Sequence, residues 1–319
     1  MNLKTLQTFY LVVREGSLAA AAKKLNLSQP AVSRLVRVLE GETRLTLFSR
    51  TRRRLVLTPE GELFFREAEH ILQGVDEIPR IVSDIQAKTT AQLRVVTSPP
   101  IGISLIAPTL SLLHAEQPDL RCFADIGSRF ELENKVGTRR YDLGVASLPI
   151  SHSLVELNTA ILCRARTVAV VPEGHPLSTK SEIAADDFLG HSIIALRPNL
   201  LWRERIDDFF KAGGISPSYT METQSTLIAR RLVAEGVGIA MMDKIVGGST
   251  VRDGVIEIPL VPERWVTYCY VFPAGQRPHS NAALFIRALR RVVERLARDN
   301  SQAGLVKPGP ADGAEAAAC

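Results

Sequence analysis

Residues 28–37, Ser-Gln-Pro-Ala-Val-Ser-Arg-Leu-Val-Arg, gather side chains whose chemistry suits base edges and phosphates. A glutamine amide can bond adenine through two groups at once, an arginine fork can do the same with guanine, and serine hydroxyls hold phosphate oxygens. Val32, Leu35, Val36 and Leu39 recur at helical spacing and claim a buried side. Gln29, Ser33, Arg34 and Arg37 are left outward, with Ser28 and Pro30 beside them at the leading end of the helix. A little further on, Arg50, Arg52, Arg53 and Arg54 crowd the tip between two apolar strands within residues 45–59. Such a tip can reach backbone phosphates or a narrow minor groove, whose potential attracts Arg. Charge follows the same boundary: residues 1–58 carry eleven Lys/Arg against three acids, whereas 59–90 carry three against seven. A basic excess confined to one module is the footprint of a nucleic-acid surface.

A second group of polar residues stands where apolar strands end. It comprises Thr97, Ser98 and Pro99; Gly127 and Ser128; Ser147; Leu196, Arg197 and Asn199; and Thr223, Gln224 and Ser225. In open α/β sheets, ligands lie beyond the carboxyl ends of strands, where helix N-termini attract anions. Each Ser or Thr here could equally be a plain helix cap, and Arg197 either forks around a carboxylate or lies outside as a solvated charge. Catalysis finds no support, because the chain has no Gly-x-Ser-x-Gly elbow, no Gly-x-x-x-x-Gly-Lys loop and no dinucleotide fingerprint. The four cysteines, Cys122, Cys163, Cys269 and Cys319, lie far apart, which excludes a zinc-finger arrangement and points to reduced thiols. Buried, inert cysteines are the expectation, with a redox pair of Cys122 and Cys163 as the alternative. The six histidines show no metal-ligand spacing, so neither a metal nor a cofactor is expected.

These residues need elements to hold them. Ala20, Ala21 and Leu25 form the apolar stripe of a short helix that a turn at Asn26 joins to the next, and Ser17 and Ser28 are suitable N-caps. After the two apolar strands and their arginine-rich tip, Phe64, Ala68, Ile71, Val75, Ile78, Val82 and Ile85 alternate spacings of four and three, a heptad seam that calls for a partner helix. The competing reading is packing against the chain's own core. Thr58 and Pro59 start this helix, and Pro79 should bend it. From residue 92 short apolar strands alternate with helical segments, the pattern of βαβ units around a mostly parallel sheet. Strands are expected near 93–97, 120–126, 142–146, 167–171, 192–196, 218–222, 237–242 and 265–272, and helices near 101–115, 199–212, 225–235 and 281–298. Residues 300–319, rich in Ala, Gly and Pro, read as a disordered tail. No apolar run reaches the roughly 18 residues of a membrane span, and the N-terminus lacks the apolar stretch of a signal peptide, so a cytoplasmic protein is expected.

The first 65 or so residues resemble the LysR-type transcriptional regulators. The match runs from Met1-Asn2-Leu3 with Phe9 and Val12, through Gly16-Ser17-Leu18, Ala20-Ala21-Ala22 and Leu25, to Ser28-Gln29-Pro30-Ala31-Val32-Ser33. It continues in Leu47-Phe48-Ser49-Arg50 and Leu57-Thr58-Pro59-Glu60-Gly61, where Glu60 replaces the family's usual Ala. The resemblance implies an α/β protein with an N-terminal winged helix-turn-helix (1–58), a dimerising linker helix (59–90) and a two-lobed effector domain similar to periplasmic binding proteins (91–299). One lobe would hold 91–162 and 266–299, the other 163–265. It implies a regulator that binds promoter DNA, responds to a small carboxylate or amino-acid-like effector between the lobes, assembles as a homodimer or homotetramer, and engages RNA polymerase. Glu222-Thr223-Gln224-Ser225, Gly236-Val237-Gly238-Ile239-Ala240 and Asp243 are similar to the subgroup that answers to amino acids or opines. The rival is a solute carrier with no DNA role, which would need export and would have no use for the basic module.

Overall fold

The computed structural model describes residues 2–51, 54–76, 78, 82, 92–150, 156–198, 200–247, 254–275, 277–299 and 304–310. The chain divides into two compact units, Met1–Thr89 and Thr90–Cys319.

The first unit is built from α1 (Leu3–Glu15), α2 (Leu18–Leu25), α3 (Gln29–Thr43), β1 (Phe48–Thr51), β2 (Arg54–Leu57) and α4 (Pro59–Asp76). Local chemistry sets its boundaries. Ser17 Oγ accepts from the Ala20 amide at 3.1 Å and Ser28 Oγ from the Ala31 amide at 3.4 Å, while Asn26 turns the chain with φ of 52°. Asn tolerates that left-handed backbone better than most residues, which suits a tight turn between two helices. Phe9, wholly buried, meets the rings of Phe48 and Phe64 edge-on at centroid distances of 5.5 and 5.4 Å. That cluster ties α1 to the wing and to α4, while Val12, Ala21, Ala22, Val32 and Val36 pack α1, α2 and α3 together. Glu40 Oε1 on α3 accepts the Leu47 and Phe48 amides at 2.9 and 3.2 Å, which fixes where the wing departs. Gly61 packs so tightly on the wing that a Cβ there would lie 2.1 Å from the Leu47 carbonyl oxygen. Only glycine fits that approach.

The heptad seam divides on inspection. Phe64 and Ala68 (1% exposed) belong to the unit's own core with Leu6, Leu39 and Leu72, so these two residues correct the expectation of a partner-facing stripe. The apolar face of α1 covers them first. Val75 is half-buried, whereas Ile71, Ile78 and Val82 are 52, 53 and 44% exposed. Pro79 and Ile85 lie outside the described residues.

The second unit contains β3 (Leu93–Thr97), α5 (Ala107–Glu116), β4 (Cys122–Ile126), α6 (Arg129–Gly137), β5 (Leu143–Ser147) and β6 (Leu157–Pro172). Then come β7 (Ile193–Leu196), α7 (Leu201–Ala212), β8 (Tyr219–Thr223), α8 (Thr226–Ala234), β9 (Ile239–Asp243), β10 (Val255–Pro259), β11 (Trp265–Pro273), α9 (Ser280–Asp299) and β12 (Val306–Pro308). The helix expected at 101–115 is led by a π-turn, Gly102–Ile106.

The strand order β4-β3-β5-β11-β6-β9-β7-β8 makes two lobes that share β6. In the first lobe β4, β3 and β5 run parallel, and in the second β8, β7 and β9 do. β6, β10, β11 and β12 pair antiparallel, so the sheet is mixed rather than mostly parallel. The reason is that β6 carries the chain from one lobe to the other and β11 brings it back beside β6. Helices cover both faces of each lobe. α5 and α9 lie over one face of the first lobe around Leu105, Phe285 and Leu289, with α6 over the other at Leu132 and Val136. In the second, α7 brings Phe209 and Phe210 to one face and α8 brings Ala229 and Val233 to the other. Sheets buried on both sides need apolar runs instead of alternation, as in Val168-Ala169-Val170-Val171.

The tail differs from expectation over residues 304–310. There β12 pairs with β6 at Cys163–Ala165, Leu305 and Val306 are buried, and Gly309 N donates to the Leu162 carbonyl at 2.8 Å. An available strand edge orders a segment whose composition alone reads as disordered.

Candidate functional site

In the first unit, α3 presents Ser28, Gln29, Pro30, Arg34 and Arg37 to solvent, with Ser33 half-buried on the same side. Val32, Val36 and Leu39 anchor the opposite side in the core. β1 and β2 form an antiparallel hairpin in which Thr51 faces Arg54, so Arg52 and Arg53 are its two connecting residues. Those two lie outside the described residues; Arg54 begins β2, and Arg50 stands one residue before the end of β1. A helix with an exposed polar face and a cationic hairpin can bind duplex DNA by groove and backbone together.

In the second unit most of the strand-end hydroxyls serve the fold. Thr97 is buried and its hydroxyl donates to the Val145 carbonyl at 2.8 Å. Ser128 makes a capping box with Glu131 at the start of α6, and Ser225 caps α8 through the Ile228 amide. Thr223 Oγ1 accepts the Ser225 amide at 3.2 Å, and the Gly127 amide donates to the Thr97 carbonyl at 2.9 Å. Ser98 opens the helical turn Pro99–Ile101 without a side-chain cap bond. Leu196 is buried; Pro99, Arg197 and Gln224 are exposed; Asn199 lies outside the described residues. The Arg197 amide donates to the Thr223 carbonyl at 2.9 Å.

Two cations beside the end of β5 come from residues that the pattern of strand ends does not reveal. Arg129, on α6 of the first lobe, donates through Nη2 to the Ser147 carbonyl at 2.8 Å. Arg205, on α7 of the second lobe, donates to the next carbonyl, that of Leu148. Two guanidiniums, one from each lobe, thus sit on consecutive carbonyls. Burial depresses the pKa of both, and the charge on Arg129 depresses that of Arg205 further. Both remain cationic, as arginine does. Around them, Arg129 Nε is buried without a hydrogen-bond partner, 3.6 Å from the wholly buried Glu133 carboxylate.

Asp243 is fully buried at the end of β9, where its carboxylate accepts the Ile245 and Val246 amides at 2.9 and 3.0 Å and the Tyr268 hydroxyl at 2.8 Å. Burial raises its pKa against the effect of those donors. Arg203 braces two strand ends, donating to the Leu196 carbonyl at 2.9 Å and to Glu222. A helical run of alternating charge such as 203–208 reads as a solvated face, which is why Arg203 and Arg205 escape notice in the sequence.

Of the cysteines expected to be buried, Cys163 and Cys269 are, Cys122 is half-buried, and Cys319 lies outside the described residues. Burial pushes the Cys269 thiol up to about 12 and raises Cys163 and Cys122 as well. A thiol so disfavoured as thiolate is a poor redox partner. Among the described residues no group of three or more His, Cys, Asp or Glu side chains could hold a metal ion, and no helix is long and apolar enough to cross a membrane.

Comparison with known proteins matches both units. A family described as bacterial regulatory helix-turn-helix protein, lysR family, matches residues 3–62, and one described as LysR substrate binding domain matches residues 86–294. The regulatory protein NocR of Agrobacterium fabrum is 27% identical over 293 residues, 92% of this chain and 97% of that protein. The octopine catabolism/uptake operon regulatory protein OccR of Rhizobium meliloti is 28% identical over 245 residues, 76% of this chain and 80% of its own. Among solved structures, full-length CbnR in complex with its target DNA covers 92% of this chain and 100% of its own with a TM-score of 0.63 at 19% identity, a likeness of fold.

Proposed function

Because this chain belongs to the LysR family of DNA-binding transcriptional regulators with an effector-binding domain, we propose that its effector is an amino-acid-like molecule bearing two carboxylates, bound between the lobes. The observation that carries this reading is the pair Arg129 and Arg205, two like charges on adjacent carbonyls. Cations held so close favour an anion that bridges them, and a planar fork matches a carboxylate. The relative OccR points the same way, its name giving octopine. An opine, an amino acid condensed with an oxo acid, carries at least two carboxylates.

The bond from Arg205 to Leu148 reaches from the second lobe to the first. A carboxylate that recruits Arg205 changes this link, and so biases the lobes by its difference in affinity for the two arrangements. Members of the family bind promoter DNA and form oligomers. Here Gln29, Ser33 and Arg34 are the base readers, Ser28, Arg37 and the wing arginines Arg50, Arg52, Arg53 and Arg54 the phosphate anchors. Ile71, Val75, Ile78 and Val82 supply the dimer seam, two dimers make a tetramer, RNA polymerase is the partner at the promoter, and the cytoplasm is the setting.

Thermal shift tests the effector. Octopine should raise the melting temperature of the full-length protein, since a ligand at about 100 times its Kd adds roughly 2.7 kcal/mol to the folded state. Arg129→Ala and Arg205→Ala should each weaken binding by about ten- to a hundredfold, the cost of one charged hydrogen-bond partner. An undiminished shift in both variants would refute the assignment.

A further inference from the structure

Both tryptophans of the chain, Trp202 on α7 and Trp265 at the start of β11, line one cavity of about 190 Å³ beside the strands that join the lobes. Arg205, Arg264 and Asp208 line it too, with Met241 among its apolar wall. Neither indole N–H is on offer: Trp202 Nε1 donates to the Met241 carbonyl and Trp265 Nε1 to Glu263, each at 3.0 Å. What the indoles present is therefore ring area. Trp265 is further flanked by cations, with Arg164 5.6 Å and Lys307 4.4 Å from its ring. Two guanidiniums against one carboxylate leave a net positive lining, which selects a single negative charge.

We infer that this cavity is a second small-molecule site, meeting the inter-lobe cleft at Arg205, for a planar ring bearing one carboxylate. Size supports that class. About 150 Å³ holds one benzene, so the cavity admits a single ring with a carboxylate and is too small for an opine. Stacking on indole and a fork onto the carboxylate are the interactions its walls can supply. Its position gives it a use. Arg205 faces the cavity and also donates to Leu148 across the cleft. A ligand that draws on Arg205 from the cavity side alters the cleft's own affinity, and the effect is reciprocal.

Intrinsic fluorescence of the full-length protein reports on this site directly, because both emitters line it. Nicotinate is the probe, nicotinamide its neutral isostere, and acetate the charge without the ring. Nicotinate should change the emission saturably, with nicotinamide and acetate at least about tenfold weaker. Arg264→Ala, at an exposed position, should weaken nicotinate about tenfold, more than Arg129→Ala does, and Asp208→Asn should tighten it. Absence of a saturable change, equal binding of nicotinamide, or a loss in Arg129→Ala with none in Arg264→Ala would overturn the assignment, the last by moving the probe into the cleft.

Discussion

Arg34 stands exposed on α3, opposite the buried Val32 and Val36, where it can enter a groove without disturbing the core. Arg34→Ala should cost about 1–3 kcal/mol of binding at the cognate site and relax preference at one base pair. Binding to a panel of single-base operator variants checks this; uniform weakening would make Arg34 a phosphate anchor. His175 offers a pH test. Its Nδ1 accepts the Leu177 amide at 3.2 Å, and its ring lies 4.7 Å from that of His191. Burial, then the neighbouring His191, lowers its pKa below the ordinary value of 6.5. The unfolded chain therefore takes up a proton first, and stability falls as pH drops below about 6.5 towards the depressed value. His175→Asn keeps an acceptor at the cap without the titration, so its melting temperature should fall less between neutral and mildly acidic buffer; an equal fall would discount His175. At this scale the face of α3 was legible because its apolar residues keep strict helical spacing. Arg129 and Arg205 were not, since nothing short of their tertiary partners distinguishes them from solvated charges.

Among the elements, α4 divides its apolar positions between two tasks. Its first turns close the core beneath Phe9, and Ile71, Ile78 and Val82 further along the seam stay exposed. Ile78→Asp should dissociate the oligomer, read as halved mass in light scattering, while the helical signal persists; an unchanged mass would remove these positions from the interface. The seam itself was visible as alternating spacings of four and three. Its division was not, because periodicity marks a face as apolar without saying what covers it. β6 shows the same limit. Its apolar run from Thr167 to Val171 was expected, whereas Asn158, Thr159, Arg164 and Arg166 obscure the part before it. Those polar residues are accommodated because β11 pairs along that whole stretch.

At the level of the whole molecule, the second unit is bound together by β6, and β12 lies on that strand where it passes between lobes. Ending the chain at Asp299 would uncover the β6 edge and expose Leu305's and Val306's packing sites. Burial of two such side chains contributes roughly 3–6 kcal/mol before the entropy of ordering the tail is deducted. The truncated protein should melt at lower temperature and gain amide exchange at Cys163–Ala165; unaltered exchange there would show that the tail stabilises nothing. The two-lobed plan was legible from alternating strands and helices, but the tail's strand was not, because its order comes from the edge it joins.

The crossing itself has an evolutionary corollary. Arg166 pairs with Trp265, and the Thr167 amide donates to the Arg264 carbonyl at 2.7 Å, so the chain leaves for the second lobe and returns from it at touching points. Residues 167–264 are in that sense a cassette spliced into a hairpin. Excising it would need only a tight turn to heal the parent, and exchanging it between relatives would graft one wall of the binding site while leaving the other wall untouched. Ligand preference in such proteins can therefore be inherited by halves.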